Sequence, residues 1–94
     1  MTTSRENELV PEGYELLFSS PDALIGMAVE IRYLGEIVAQ LDMERGAEEM
    51  EIAFSTGPFE SSVFEPRFRV ADLITVVQIA RDALLKYPDP IVPA

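Results

Sequence analysis

Alternation of apolar and polar residues over residues 27–42 is the feature that most constrains how this chain can fold. Apolar side chains recur at every second position on both sides of a short break at residues 33–35. A period of two residues is typical of a strand with one buried face and one exposed face. Two such strands, separated by a few residues that include glycine, predict a β-hairpin. The chain is therefore expected to contain an antiparallel sheet.

The length of the hairpin loop decides which residues face each other. A two-residue loop at positions 34–35 would set Ile31 opposite Val38 and mix the two faces of the sheet. A three-residue loop that begins at Tyr33 keeps the faces separate, and Gly35 then supplies the left-handed conformation needed at its last position. We therefore expect the longer loop. The pairs that it predicts are Ile31 with Ile37, Val29 with Ala39, Met27 with Leu41, and Arg32 with Glu36 at the closing position.

Two further strands and one helix are predicted around this hairpin. Residues 14–20 and 50–55 also alternate, whereas the period over 71–86 is three to four residues, which is typical of an amphipathic helix. We predict an α+β fold, namely a four-stranded antiparallel β-meander followed by one C-terminal α-helix packed on one sheet face. The predicted core comprises Tyr14, Leu16, Phe18, Met27, Val29, Ile31, Ile37, Ala39, Leu41, Met50, Ile52 and Phe54 from the sheet, and Leu73, Val76, Val77, Ala80, Leu84 and Tyr87 from the helix.

A single domain accounts for the 94 residues of the chain. We expect it to span residues 14–87, with a flexible N-terminal lead-in over 1–13 and an irregular C-terminal tail over 88–94. A domain of this size buries only roughly 60–65% of the surface of its unfolded chain. A partner subunit would therefore add to its stability.

The side chains that most enzymes use are missing from this sequence. Cysteine and histidine are both absent, which excludes disulfides, thiolate nucleophiles and imidazole groups that act as bases or metal ligands. The serines have no visible base partner, and paired carboxylates leave a hydrolase as the remaining catalytic alternative. We predict that the protein is not an enzyme and needs no cofactor or metal.

The charge of the chain restricts its partners. Seventeen acidic residues and seven basic residues give a net charge of −10. Such a chain repels nucleic-acid phosphates and anionic membrane surfaces, so we predict no nucleic acid and no membrane partner. The first residues lack the form of a signal peptide and no apolar run is long enough to span a membrane, which predicts a cytoplasmic protein.

The densest acidic segment follows the predicted hairpin. Its spacing resembles a calcium loop, but Gly46 and Ala53 stand where two of the oxygen ligands would be required. A solvated turn between strands and an acidic surface for a basic protein partner are the two remaining interpretations. The residues of this possible acidic partner surface are Asp42, Glu44, Glu48, Glu49 and Glu51.

Apolar residues outside the predicted core indicate a second kind of surface. Contiguous exposed apolar side chains mark partner sites, and small sheets with open edges often pair, so we expect a homodimer. The possible partner or dimer surface consists of Val38, Ile74, Ile79 and Leu85. The predicted function is that of a non-catalytic protein-binding module. The alternative is a small apolar-ligand-binding protein with a pocket between helix and sheet, whose adaptable wall would include Met27, Met43 and Met50.

The span from about Tyr14 to Lys86 resembles a group of small, acidic, functionally uncharacterised bacterial proteins. The features that carry this resemblance are the hairpin Val-Glu-Ile-Arg-Tyr-Leu-Gly-Glu-Ile-Val-Ala-Gln over 29–40, the acidic turn, the strand Met-Glu-Ile-Ala-Phe over 50–54, and the helix opened by Val-Ala-Asp-Leu at 70–73. Members look like the open reading frames of mobile elements, including integron gene cassettes, and like small immunity proteins. The resemblance implies an immunity or antagonist role against a basic toxin or nuclease, and it implies no catalytic residues.

Overall fold

One helix packs on one face of a four-stranded sheet, as the alternating and helical periods predict. The computed structural model describes residues 9–20 and 26–86. Each strand pairs antiparallel with its neighbours along the chain, in the order β1-β2-β3-β4, and the helix follows the last strand. The predicted α+β meander is therefore confirmed. The elements are β1 (Tyr14–Ser19), β2 (Ala28–Tyr33), β3 (Glu36–Asp42), β4 (Glu51–Phe54) and α1 (Val70–Leu85).

Some of the sequence-based predictions concern residues outside this description. The lead-in over 1–8, the tail over 88–94 and the core position of Tyr87 lie outside the described residues. The last part of the lead-in is described: the backbone N–H of Leu34 donates to the carbonyl of Gly13 at 2.9 Å. This bond ties the chain before β1 to the hairpin loop.

The hairpin loop has two residues, so the three-residue prediction is wrong. Tyr33 lies opposite Glu36, and the two residues between them both have positive φ, at 53° for Leu34 and 86° for Gly35. Two consecutive left-handed residues suit the twist of a tight hairpin. The predicted left-handed conformation of Gly35 is confirmed, although at the second position of a shorter loop.

A β-bulge reconciles the short loop with the buried face of the sheet. Arg32 lies opposite Ile37, whereas the preceding Ile31 lies opposite Ala39, so Val38 is an extra residue in β3. The predicted pairs of Ile31 with Ile37, Val29 with Ala39, Met27 with Leu41 and Arg32 with Glu36 are therefore wrong, and Val29 instead lies opposite Leu41.

The bulge exchanges the predicted environments of two neighbours in β3. Val38, expected on the outer face, is buried at 3% exposure, whereas Ile37, expected in the core, is 41% exposed. Because one extra residue shifts the alternation, every position between the bulge and the loop changes face. Glu36 consequently lies on the helix-covered face, where it is buried.

The core lies between α1 and the two central strands. Helix α1 packs against β2 and β3, and its buried residues are Val76, Ala80, Ala83 and Leu84. Leu73 and Val77, predicted in the core, are half-buried. Ile79 was expected on an exposed flank, but it is partly buried and packs against the core. The buried sheet residues in this core are Tyr14, Leu16, Val29, Ile31, Val38, Ala39 and Leu41.

The last strand, β4, is only partly covered. The predicted core positions Ile52 and Phe54 are 36% and 56% exposed, so their assignment to the core is wrong. They lie on the helix-covered face, opposite Leu41 and Ala39, but β4 is at the edge of the sheet and the helix axis follows the central strands. Met50, which precedes β4, does pack against the core.

The irregular segment 55–69 is anchored to the hairpin-loop end of the sheet. The two carboxylate oxygens of Glu36 accept hydrogen bonds from the backbone N–H groups of Glu60, at 2.9 Å, and Ser61, at 2.8 Å. A cluster of aromatic rings, with centroids 4.6–6.3 Å apart, joins the same segment to β1 and β2. Its members are Tyr14, Tyr33, Phe59, Phe64 and Phe68.

Candidate interaction surface

A small apolar groove lies between α1 and β4. Its volume is about 130 Å³. Its walls are Leu41, Met50, Glu51 and Ile52 from the sheet side and Val77 and Arg81 from the helix. The groove exists because the helix lies over β2 and β3 and leaves the last strand at its side.

The helix side that borders the groove carries exposed apolar residues over several turns. Val70, Ile74, Val77 and Arg81 succeed one another at steps of three and four, so they share one side of α1. Since Val77 and Arg81 lie beside Ile52, this side faces the edge of the sheet. Val70 and Ile74 are both exposed.

The direction of the helix extends this apolar surface toward Phe54. Phe68 packs edge to face against Tyr33, with ring centroids 5.3 Å apart, so α1 begins at the hairpin-loop end of the sheet. Phe54 lies two residues nearer to that end than Ile52, and Ile74 lies one helical turn nearer to it than the groove. We call the resulting surface the α1–β4 strip: Ile52, Phe54, Val70, Ile74 and Val77.

The backbone edge beside this strip is unprotected. Within the described residues no strand pairs with the outer side of β4, which contains neither lysine nor proline. Natural proteins usually protect edge strands with such residues. The side chains at the opposite edge differ: Tyr14 and Leu16 of β1 are buried in the core, whereas Ile52 and Phe54 of β4 are exposed.

The charges that border the strip are balanced. Arg45 contacts Glu51 at 3.4 Å, and Arg81 contacts Asp82 at 3.3 Å. Both pairs are exposed, so each contributes at most about 1 kcal/mol to stability. Their importance lies in the local neutrality that they give to a strongly acidic chain.

The acidic turn uses several of its carboxylates within the protein. Asp42 accepts a hydrogen bond from the backbone N–H of Glu44 at 3.1 Å, and the carboxylate of Glu44 accepts one from the N–H of Gly26 at 3.0 Å. Glu48 and Glu49 are exposed in a single 3₁₀ turn over Ala47–Glu49. In the part of the chain that the structure describes, no group of three acidic side chains could hold a metal ion.

Two ionisable side chains of the larger cleft beside the hairpin are engaged within the protein. The cleft has a volume of about 400 Å³ and lies between the hairpin and the segment 55–60. Arg32 contacts Glu30 at 3.0 Å, and both oxygens of Glu36 bind backbone N–H groups. These contacts occupy the side chains of Arg32 and Glu36; Glu60 also lines the cleft.

The structure brings together only part of the predicted partner surface. Ile74 and Leu85 are exposed on the same side of α1, eleven residues or about three turns apart. Ile79 is five residues beyond Ile74, which is about 140° around the helix. Val38 is buried and belongs to the core.

Sequence reasoning missed the β4 half of the strip. The alternation of Ile52 and Phe54 identifies their shared face correctly, but it does not show how far the helix extends over that face. Two features of the sequence could have indicated this exposure: β4 is short, and it is the last strand of the meander. One helix, about 10 Å across, cannot cover four strands spaced about 4.8 Å apart.

Comparison with known proteins yields no relative. No protein family, curated protein or solved structure matches the chain. The resemblance to proteins of integron gene cassettes therefore stays a prediction. Among the described residues, no helix has the length and apolar character needed to cross a membrane.

Proposed function

We propose that this chain is a non-catalytic protein-binding module and that the α1–β4 strip is its binding surface. The observation that carries the proposal is the exposure of Ile52 and Phe54 on an unprotected edge strand, beside an apolar helix side. Contiguous exposed apolar residues with a polar border are typical of protein–protein interfaces. We propose a cytoplasmic setting for this activity, in keeping with the sequence.

The strip offers two kinds of binding energy in one place. Complete burial of a Val, Ile or Phe side chain contributes about 1.5–3 kcal/mol relative to full exposure. An incoming extended segment would also gain backbone hydrogen bonds along β4, as in strand addition. A protein partner can use both contributions, because it presents a strand and apolar side chains together.

The alternative, a small apolar ligand between helix and sheet, has less support. Pockets for such ligands usually enclose about 300–1,000 Å³, whereas the groove between α1 and the sheet has about 130 Å³. The three methionines expected in the pocket wall, Met27, Met43 and Met50, all pack against the core, and Met50 alone of the three also lines this groove. The methionine side chains therefore largely fill the space in which a ligand would have to bind.

An immunity or antagonist role against a basic partner is the second candidate. Its support is the net charge of −10 together with the exposure of Glu48 and Glu49. The acidic surface is smaller than the sequence suggests, because Asp42, Glu44 and Glu51 each bind groups of the chain itself. The apolar strip is the stronger basis for a proposal.

Site-specific photo-crosslinking tests the proposed surface. A benzophenone side chain at Phe54 should form discrete covalent adducts with protein when the chain is expressed at low level and irradiated in cells. The matched control carries the same group at Val63, which is 88% exposed and outside the strip. Adducts from position 54 and none from position 63 are expected. Equal labelling at both positions, or none at 54, would refute the proposal.

A further inference from the structure

We infer that the occupant of the α1–β4 strip is a second copy of the chain, joined antiparallel along β4 about a two-fold axis at Ala53. This inference rests on the proposed function, since it names the partner of the same surface. It follows from the backbone orientation of β4, the side-chain register that symmetry allows, and the charges around the strip.

The backbone of β4 has hydrogen-bonding groups directed at its free edge. The N–H of Ser55 donates to the carbonyl of Val38 at 2.9 Å, so Ser55 faces β3. Because backbone groups alternate in direction along a strand, the N–H and C=O groups of Ile52 and Phe54 face away from β3. These two residues are the positions that an added strand would bind.

Symmetry restricts how β4 can pair with itself. In an antiparallel pair, directly opposed residues lie on the same face of the sheet. When a strand pairs with its own symmetry mate, this requires that the two-fold axis pass through a residue and not between two residues. With the axis at Ala53, Ile52 lies opposite Phe54 of the second copy, and Phe54 lies opposite Ile52 of the second copy. Each such pair exchanges two backbone hydrogen bonds, so the pairing forms four in total. Glu51 then lies opposite Ser55, which places no like charges together.

Two registers with the axis nearer the start of β4 are less favourable. An axis at Glu51 would set this carboxylate against its own symmetry mate, which is destabilising. An axis at Ile52 would require Met50 to pair with Phe54, although Met50 packs against the core. Of these three registers, the Ala53 register is the one that pairs both exposed apolar residues of β4 with each other and leaves Met50 in the core.

The same pairing extends the apolar contact beyond the strands. Ile52 and Phe54 lie on the helix-covered face, so their cross-strand pairs face the α1 helices of both copies. Ile74 and Val77 border this region on each helix. The interface thus consists of a continuous eight-stranded sheet with a shared apolar layer between two helices.

Charge favours this location for contact between two acidic chains. The repulsion between copies with a net charge of −10 is smallest where opposite charges are paired. The Arg45–Glu51 and Arg81–Asp82 pairs supply that neutrality at the border of the strip. At physiological salt, exposed charges more than about 8 Å apart are largely screened. A highly basic partner would gain little from these neutral pairs, whereas a second copy meets less repulsion there than at the exposed Glu48 and Glu49 of the preceding turn.

Cysteine crosslinking and mass measurement test the arrangement together. Sedimentation equilibrium at micromolar concentration should give twice the chain mass of 10.5 kDa. Because the chain has no cysteine, Ala53→Cys introduces a single thiol at the proposed axis. Ala47→Cys, also exposed, is the matched control. We expect the disulfide dimer to form about tenfold faster at 53, where opposed Cα atoms would be about 4.5 Å apart.

A surface variant provides an independent check. Phe54→Lys places a charge on the edge and should give a folded monomer, whereas Val63→Lys should remain a dimer; circular dichroism verifies that both fold. A wild-type monomer, or a dimer that forms no faster crosslink at 53 than at 47, overturns the inference. If position 54 nevertheless photo-crosslinks a different protein in cells, the protein-binding function holds without the symmetric dimer.

Discussion

Val38 and Ala39 are adjacent in β3, and both are buried against the helix. Adjacent residues of a regular strand point to opposite faces of the sheet. Here Ala39 pairs with Ile31, and the next pair toward the loop joins Arg32 to Ile37, so Val38 is left without a directly opposed residue. The bulge therefore lets a two-residue loop coexist with a continuous buried face.

The environments of Val38 and Ile37 predict opposite responses to truncation. Val38→Ala should lower the free energy of unfolding by about 1–3 kcal/mol, because it leaves a cavity in the core. Ile37→Ala should change it by less than about 1 kcal/mol, since Ile37 is 41% exposed. Urea denaturation measures both values. The reverse order would show that β3 alternates without a bulge.

The two left-handed loop residues predict a gain and a loss of stability. Leu34→Asn should raise the free energy of unfolding by about 0.5–1 kcal/mol, because asparagine tolerates the φ of 53° better than leucine does. Gly35→Ala should lower it by about 1 kcal/mol through backbone strain alone, since a Cβ atom there meets nothing within 4 Å. Thermal melting of the two variants measures both effects, and shifts of the same sign would contradict this account.

Substitutions on the buried and on the exposed side of α1 should change the free energy of unfolding by different amounts. Leu84 is fully buried, so Leu84→Ala should cost about 2–5 kcal/mol of the free energy of unfolding. Gln78 is exposed, and Gln78→Ala should change it by at most about 0.5 kcal/mol. Chemical denaturation at constant protein concentration separates the two. Similar small effects at both positions would mean that α1 packs through another side.

Glu36 is predicted to hold the segment 55–69 in place. Glu36→Ala leaves two N–H groups without their acceptor and should cost about 1–3 kcal/mol for each group that stays buried. Glu36→Gln keeps one acceptor oxygen and should have an intermediate effect. Trypsin cleavage after Arg67, followed by mass spectrometry, should accelerate in the same order.

Glu65→Gln is the matched control for the loss of charge. Glu65 is exposed and contacts Arg67 at 3.7 Å, so its substitution should alter stability by less than about 1 kcal/mol. If Glu36→Ala changes cleavage after Arg67 no more than this control does, then Glu36 does not anchor the segment.

The raised pKa of the Tyr14 hydroxyl predicts a loss of stability at alkaline pH. Burial raises the pKa of the Tyr14 hydroxyl above its usual value, and the charges of Tyr33 and Asp72 raise it further. The folded state therefore holds this proton more tightly, so the stabilisation is complete below about pH 10 and is lost as the pH rises toward the folded pKa. The free-energy difference between wild type and Tyr14→Phe should be constant up to about pH 9 and fall above pH 10. Parallel pH profiles of the two proteins, measured by urea denaturation, would exclude this role.

The sequence predicts the strands and the helix of this fold better than the register in which the strands pair. Period-two alternation and a three-to-four-residue period are properties of single elements, so the strands and α1 follow from them directly. The bulge at Val38 depends on how two strands meet across a loop. Leu34 is a poor left-handed residue, which concealed the two-residue loop. The alternation of apolar and polar residues alone then favoured a longer loop and placed Ile37 and Val38 on the wrong faces of the sheet.

The candidate surface was only half predictable for a related reason. Ile74 and Leu85 could be assigned to an exposed side because the helical period places them away from the buried residues. The exposure of Ile52 and Phe54 depends on the lateral position of α1 over the sheet, which no local pattern records. The binding of Glu36 to Glu60 and Ser61 likewise joins residues that are 24 and 25 positions apart.

The order of the elements also determines how the protein emerges during synthesis. All four strands precede α1, and among the described residues each pairs with its neighbours in the chain, so the strands leave the ribosome before the helix does. Translation of the 16 helix residues takes roughly 1–3 s at ordinary rates. Until the helix has emerged, the sheet face that carries Val29, Ile31 and Leu41 lacks the element that buries it. Docking of the helix must therefore outpace contacts between sheets growing on neighbouring ribosomes of one messenger.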